Sequence, residues 1–308
     1  MRNLTTLSVI DMIVEIHSNM TRKNAYELTL GVYRQLRKLG AKILMSFELK
    51  EYFSDLEVSF LDENTAVAMC DIMIAIGGDG TIIHASHFAA EHDKPILGIN
   101  AGRLGFLAGL EKEELSLLEN LFSGKYTTDK RMMLKVSHYE NGELTCVHHC
   151  LNDCTIGRGV SLRLCELEVK CDSRKINDYF ADGIILATPT GSTAYSLSAG
   201  GPVVDTAIES LILTPICTHS LFSRSMIFKP DSKISVSVKN PDVCLPIYSC
   251  DGEIGISLSE NSVIEIERAE KYVKLIRIKS DGFVEIFSQK LMERYSNTKG
   301  DNNEESKT

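Results

Sequence analysis

The 308-residue chain carries a net charge of −9, with 44% hydrophobic and 24% charged residues. That balance supplies core enough for two modest domains. It excludes a general nucleic-acid binder, whose affinity rests on a basic surface.

No apolar run approaches the roughly 20 residues that span a bilayer. The N-terminal stretch MRNLTTLSVIDMIVEIHSN holds Asp11 and Glu15 inside its apolar part and lacks a small-residue cleavage site, so it reads as a first strand and not a signal peptide. Neither reading calls for a membrane. Nine cysteines, an odd number scattered along the chain, point to reduced thiols and a cytoplasmic location.

After the strand SVIDMIVEI, Asn19 or Thr21 is placed to cap a helix through TRKNAYELTLGVYRQLRKLG. Ala25, Leu28, Leu30, Val32, Leu36 and Leu39 give that helix an apolar stripe, and Gly40 ends it. AKILMS is a second strand, and residues 51–69 fit no single pattern. DIMIAI is apolar almost throughout, as a strand buried on both faces should be. A helix to about residue 91, the strand PILGIN and an amphipathic helix EKEELSLLENLFSG follow. This alternation predicts a parallel sheet covered by helices.

Beyond residue 126 the segments are short and β-rich: MMLKVSHYE, ELTCVHHCLNDCTI, RLCELEVKCD, KISVSVK and SVIEIERA. Turn pairs such as Asn141-Gly142 and Asp251-Gly252 separate them, predicting mostly antiparallel pairing. A helix-like interruption covers roughly 193–211, FVEIFSQKLMERYS reads as a terminal helix, and NTKGDNNEESKT has the composition of a disordered tail. The cluster Cys146, His148, His149, Cys150 and Cys154 has zinc-ligand residue types but no CxxC pair, so buried thiols in a sheet are the better reading.

Residues 71–86, DIMIAIGGDGTIIHAS, pose the central question. A buried strand delivers a loop to the carboxyl end of a parallel sheet, where ligands bind in such folds. Gly77, Gly78 and Gly80 strip the loop of side chains, so backbone N–H groups can approach phosphate oxygens, and Thr81 can cap the next helix or bond a phosphate. Asp79 is then the one charged group. A carboxylate beside phosphates is repelled unless it holds Mg²⁺ or accepts a proton from an attacking hydroxyl. An isolated GGDG is equally compatible with a tight turn.

The loop is not isolated. GGDGT resembles the signature shared by NAD kinases, diacylglycerol and sphingosine kinases and, in variant form, 6-phosphofructokinases. INAGRLGFLAGL (99–110), LNDCTIGRG (151–159) and ADGIILATPTGSTAYSLSAGGP (181–202) resemble further NAD kinase elements in order and spacing. The resemblance runs from about residue 70 to 255 and identifies the chain with the NAD kinase family.

The resemblance implies an α/β plus β fold. An N-terminal Rossmann-like parallel α/β domain over 1–125 carries GGDGT, and a mostly antiparallel β-rich NAD-binding domain covers 126–283. A C-terminal helix at 284–296 and a tail at 297–308 complete the chain. It implies transfer of the γ-phosphoryl of ATP to the 2′-hydroxyl of the adenosine ribose of NAD, with Mg²⁺ or another divalent cation, by a homodimer or homotetramer. Asp79 matches the proton acceptor. Asn152 and Asp153 match the N-E pair that holds the adenosine, with Asp153 one methylene shorter than the commoner Glu. Asp182, Thr190, Thr193, Ala194, Tyr195, Ser196, Leu197 and Ser198 match nucleotide-contacting positions; the alternative for the hydroxyl residues is helix capping by Ser192 or Thr193, and the two roles are compatible. His84, Arg163 and Glu253 fall near family ligand positions, Asn100 belongs to the resembling 99–110 element, and Phe106 either walls the nicotinamide or adenine pocket or packs in the core, while His219 reads as structural. The competing expectations are a lipid kinase of the diacylglycerol or sphingosine type and a non-catalytic NAD(P)-binding sensor.

Overall fold

The computed structural model describes residues 12–22, 24–102, 105–219, 223–253, 255–280, 282–289 and 292. The chain divides into two compact units: the described residues up to Asp129 together with those from Lys274 onward, and Lys130–Val273.

The first unit is built on parallel strands β1 (Ile13–Ser18), β2 (Lys42–Ser46), β3 (Ser59–Leu61), β4 (Ile72–Gly77) and β5 (Pro95–Asn100). Their order is β3-β2-β1-β4-β5, and every pairing is parallel. All six residues of β4 are buried, because neighbours flank it on both edges and helices cover its faces. The order reverses between β1 and β4. At such a switch point the connections leave in opposite directions and open a crevice at the carboxyl ends.

Helix α1 (Ala25–Lys38) buries Ala25, Leu28, Thr29, Val32 and Leu36, the expected stripe, and the chain turns at Gly40 with φ 85°. Its N-terminus differs from expectation. The cap is Asn24 in the left-handed region, and Asn19 instead accepts from the N–H and hydroxyl of Thr21 in a local turn. The ambiguous segment 51–69 resolves into α2 (Lys50–Phe53), β3 and α3 (Glu63–Met69), the last capped by Asp62 through the Thr65 N–H. Helix α4 (Asp79–Glu91) follows β4 directly. A short strand β6 (Leu110–Glu111) pairs with β5. The segment expected as one amphipathic helix is a 3₁₀ run over Lys112–Leu118 followed by α5 (Glu119–Phe122), and Glu114 breaks the helical backbone. A helix over 283–289 agrees with the terminal reading, while residues 297–308 lie outside the described part.

The second unit is built from strands of two sheets. The first contains β7 (Thr127–Glu140), β8 (Glu143–Cys150), β10 (Cys165–Cys171), β11 (Arg174–Ala181), β15 (Ile234–Val238) and β18 (Ser262–Arg277), in the order β11-β10-β15-β18 and on through β7 to β8, with β7 and β18 running a few residues past the unit's limits. The second contains β9 (Asp153–Gly157), β12 (Gly183–Ala187), β13 (Leu211–Ile216), β14 (Met226–Phe228), β16 (Ile247–Cys250) and β17 (Ile256–Ser257), in the order β14-β13-β12-β9-β16-β17. The strand pairs whose registers are defined in this unit are antiparallel. Leu134, Val136, Ile156, Leu167, Ile184 and Ile264 are among the fully buried residues that form its core. Cys150 and Cys154 lie in that core, as expected of sheet thiols, and all nine cysteines are free. The expected helix over 193–211 shrinks to a 3₁₀ turn at Gly191–Thr193 and α6 (Tyr195–Ser198).

Candidate functional site

In the first unit, β4 ends at Gly77, Gly78 caps α4 with extended backbone, and Asp79 is the first helical residue. The Asp79 carboxylate turns toward residues 105–107. Its Oδ2 accepts the Phe106 N–H at 2.8 Å and its Oδ1 the Leu107 N–H at 3.1 Å. The motifs GGDGT and LGFL therefore meet through one carboxylate.

The three loop glycines are not equivalent. A Cβ on Gly77 would lie 2.4 Å from Thr81 Oγ1, whereas one on Gly78 or Gly80 would meet nothing within 4 Å. The packing demands glycine at 77; at 78 and 80 the bare backbone borders open space. Thr81 Oγ1 is itself buried and has no hydrogen-bond partner. A cleft of about 560 Å³ opens at the switch point, lined by His17, Asn19, Thr21, Arg22, Gly80 and Thr81 among others.

His84 is exposed on α4 beside this cleft. Asn100 is buried at the end of β5; its amide donates to Glu111 at 2.8 Å and its oxygen accepts the Gly102 N–H at 3.0 Å. Phe106 is half-buried, its ring 6.4 Å from that of Phe287. Arg103 and Leu104 of the same element lie outside the described residues.

In the second unit, Asn152 and Asp153 enter β9 on a backbone fixed from two sides. Asp251 collects three N–H groups, with Oδ2 accepting from Leu151 at 2.7 Å and Oδ1 from Asn152 at 2.7 Å and Asp153 at 3.1 Å. From the other side, the Thr188 N–H donates to the Asn152 carbonyl at 2.8 Å and the Thr188 hydroxyl to the Leu151 carbonyl at 2.6 Å. A Cβ on Gly191 would sit 2.1 Å from the Asn152 carbonyl oxygen, so the TPTGST turn lies directly on the N-D backbone. Asp153 is 7% exposed. Burial, then the Asp251 carboxylate, pushes its pKa up to about 7, against a hydrogen bond from Thr155 that lowers it.

The remaining residues split by environment. Thr190 is buried and accepts from Arg131 Nη1 at 3.2 Å. Thr193 bonds back to the Thr190 carbonyl, and Ser196 pairs with Thr214 at 2.9 Å. These hydroxyls hold the turn together. Tyr195 and Ser198 are exposed, while Ala194 and Leu197 are half-buried. Asp182 forms an ion pair with Arg158 at 3.0 Å. Arg163 and Glu253 are exposed on loops within this unit. His219 packs edge-on against Phe180 and donates its backbone N–H to the Phe180 carbonyl.

Sequence reasoning missed Asp251, Arg131 and Gly105 as supports of the site. The Asp251-Gly252 pair was legible only as a turn. Its acceptors are spent on a segment about 100 residues away, and no local pattern reports that.

The family model of the ATP-NAD kinase N-terminal domain matches residues 13–126, and that of the ATP-NAD kinase C-terminal domain matches residues 151–278. The chain belongs to the ATP-NAD kinase family. A curated NAD kinase of Thermoanaerobacter sp. (strain X514) is 40% identical over 227 residues, covering 73% of this chain and 79% of that protein. The NAD kinase of Syntrophotalea carbinolica is 34% identical over 279 residues, covering 90% of this chain and 97% of its own. Among solved structures, yeast NADH kinase complexed with NADH superposes with a TM-score of 0.83 at 25% identity, over 91% of this chain and 87% of that one. An NAD kinase from Archaeoglobus fulgidus in complex with ATP superposes at 0.65 and 22% identity, over 88% and 94%, and shares the fold. Both units of this ATP-NAD kinase family member thus have counterparts in relatives that carry the kinase name.

Proposed function

We infer that the chain is an NAD kinase: it transfers the γ-phosphoryl of ATP to the 2′-hydroxyl of the adenosine ribose of NAD, giving NADP and ADP. The observation that carries this reading is the Asp79 carboxylate, held by two backbone N–H groups at the head of α4 in a glycine loop. The open space at Gly78 and Gly80 and the N–H groups of the first turn of α4 suit a polyphosphate.

In the proposed step the 2′-oxygen forms a bond to the γ-phosphorus while the bond to the β–γ bridging oxygen breaks, and the hydroxyl proton passes to Asp79. Phosphoryl transfer is largely dissociative, so that proton leaves late and positioning counts for more than basicity. The paired N–H groups supply that positioning.

Asn152 and Asp153 would hold the adenosine part of NAD, since an amide both donates and accepts and a carboxylate accepts from ribose hydroxyls. Tyr195 and Ser198, exposed on α6, are free to face a nucleotide, while Thr190, Thr193 and Ser196 shape the turn beneath.

A magnesium ion fits this setting. It takes oxygen ligands, keeps waters and is held largely by substrate phosphates. Thr81 Oγ1, buried without a partner beside the loop, and the Asp79 carboxylate are the oxygen groups next to it. When bound, the ion neutralises phosphate charge. The homodimer or homotetramer usual in the family is carried over as our expectation, tested by light scattering on the purified protein. The cytoplasmic location rests on nine free cysteines. No described helix is long and apolar enough to cross a membrane.

The test is a coupled assay for NADP formed from NAD and Mg²⁺-ATP, with wild type and Asp79→Asn side by side. Loss of a general base costs roughly 10²–10⁴-fold. NADP from the wild type that falls by that factor in the variant supports both the reaction and the base. Tight NAD binding without turnover would instead favour a sensor, and lipid-dependent ADP release a lipid kinase.

A further inference from the structure

One cluster lies outside these roles. Glu15 and His17 alternate along β1 onto one face of the strand. Helix α3 brings Glu63, its first residue, and α4 brings His84. His17 Nδ1 and Glu63 Oε1 are 2.6 Å apart, yet Glu63 Oε1 has no hydrogen-bond partner, so the contact lacks hydrogen-bond geometry. The His84 ring centroid is 5.5 Å from that of His17. One ligand atom from each of the three falls within 4.8 Å of the others, the one such grouping among the described residues. Glu15 is fully buried, and neither of its carboxyl oxygens has a hydrogen-bond partner. Glu63 Oε1 is likewise a buried carboxylate oxygen with no hydrogen-bond partner, here beside two imidazoles, a group that a bound cation would satisfy.

We propose that His17, Glu63 and His84 form a three-ligand site for a zinc-class divalent cation, open to the cleft beside Gly80 and Thr81. The donor set decides the class. Two imidazoles and a carboxylate suit zinc and its first-row neighbours, whereas magnesium selects oxygen alone. Ligands each about 2.1 Å from one ion stand at most about 4.2 Å apart. A small rotation of the exposed His84 side chain closes the remaining gap. Because His17, His84, Gly80 and Thr81 line the same cleft, the fourth position is left for water or a phosphate oxygen. The ion is separate from the magnesium that accompanies ATP.

The experiment is a titration of chelator-treated full-length protein with Co²⁺ as a spectroscopic probe, followed by Zn²⁺ displacement and calorimetry, with Mg²⁺ as control. The expected result is one equivalent of Co²⁺ with visible ligand-field bands, displaced by Zn²⁺ and not by Mg²⁺. His84→Asn and His17→Asn should each weaken binding at least about 10-fold, the scale on which even outer ligand partners act. His84 is exposed, so its variant should keep the wild-type circular dichroism spectrum. Absence of stoichiometric binding overturns the proposal. So does binding retained in both variants, as exposed Cys217 would give. The readout is bound metal, so its failure is distinguishable from failure of the kinase reading.

Discussion

A Cβ added to Gly105 would lie 2.2 Å from Oδ1 of Asp79. The glycine of LGFL is therefore what lets the carboxylate of GGDG reach the Phe106 and Leu107 N–H groups. Two motifs that look independent in the sequence are one device in the fold.

Gly105→Ala should lower kcat by about 10- to 100-fold, since a displacement near 1 Å in a reacting group costs on that order. Gly102→Ala is the control, because a Cβ there meets nothing within 4 Å. Steady-state kinetics on both variants checks this. Equal rates would detach the position of Asp79 from turnover.

Gly77→Ala and Gly80→Ala should part company. The first forces a methyl against Thr81 and should lower Tm, in line with overpacking costs of about 1–3 kcal/mol. The second has room for the methyl, so Tm should hold while the KM for ATP rises, because the methyl occupies the space assigned to phosphate. Thermal melts and ATP titrations distinguish the two.

Asp251→Ala should raise the KM for NAD more than that for ATP. It leaves three N–H groups at Leu151, Asn152 and Asp153 without their acceptor, and an unsatisfied buried group costs about 1–3 kcal/mol. A larger effect on ATP would show that the adenosine pocket has been assigned to the wrong substrate.

Asp153 sets a pH dependence. Its folded pKa, about 7, lies above the ordinary aspartate value because of burial and Asp251. The folded state thus holds a proton that the unfolded chain releases first. The stability contributed by this group is full below roughly pH 3.9 and is lost as pH rises through about 7. Denaturant melts between about pH 5 and 8 should show wild type losing stability relative to Asp153→Asn, a neutral mimic of the protonated group. The NAD KM should rise as pH falls below about 7, because the proton occupies an acceptor meant for ribose hydroxyls. A difference between the two proteins that stays constant across this range would remove Asp153 from the titration.

Much of the first unit was legible. The apolar run of β4, the stripe of α1 and the change of texture near residue 126 report burial through periodicity, which is a local property. The start of α1 departs from expectation because Asn19 satisfies Thr21 in a local turn, and capping residues serve turns as readily as helices. Residues 112–118 kept their apolar spacing but took a tighter 3₁₀ course, where Glu114 bonds back to the Glu111 N–H, and only 119–122 are α-helical.

The sequence by itself determined the family, the two textures of the chain and the lone acidic residue in a glycine loop. These depend on residue type and order. Only the tertiary structure decided what holds that acid and what holds the Asn152–Asp153 backbone. It also decided which glycines make room for packing and which border open space, and that His17, Glu63 and His84 converge. Each of these is a meeting of segments far apart in sequence, fixed by strand order and side-chain packing, and hydrophobic periodicity carries no record of it.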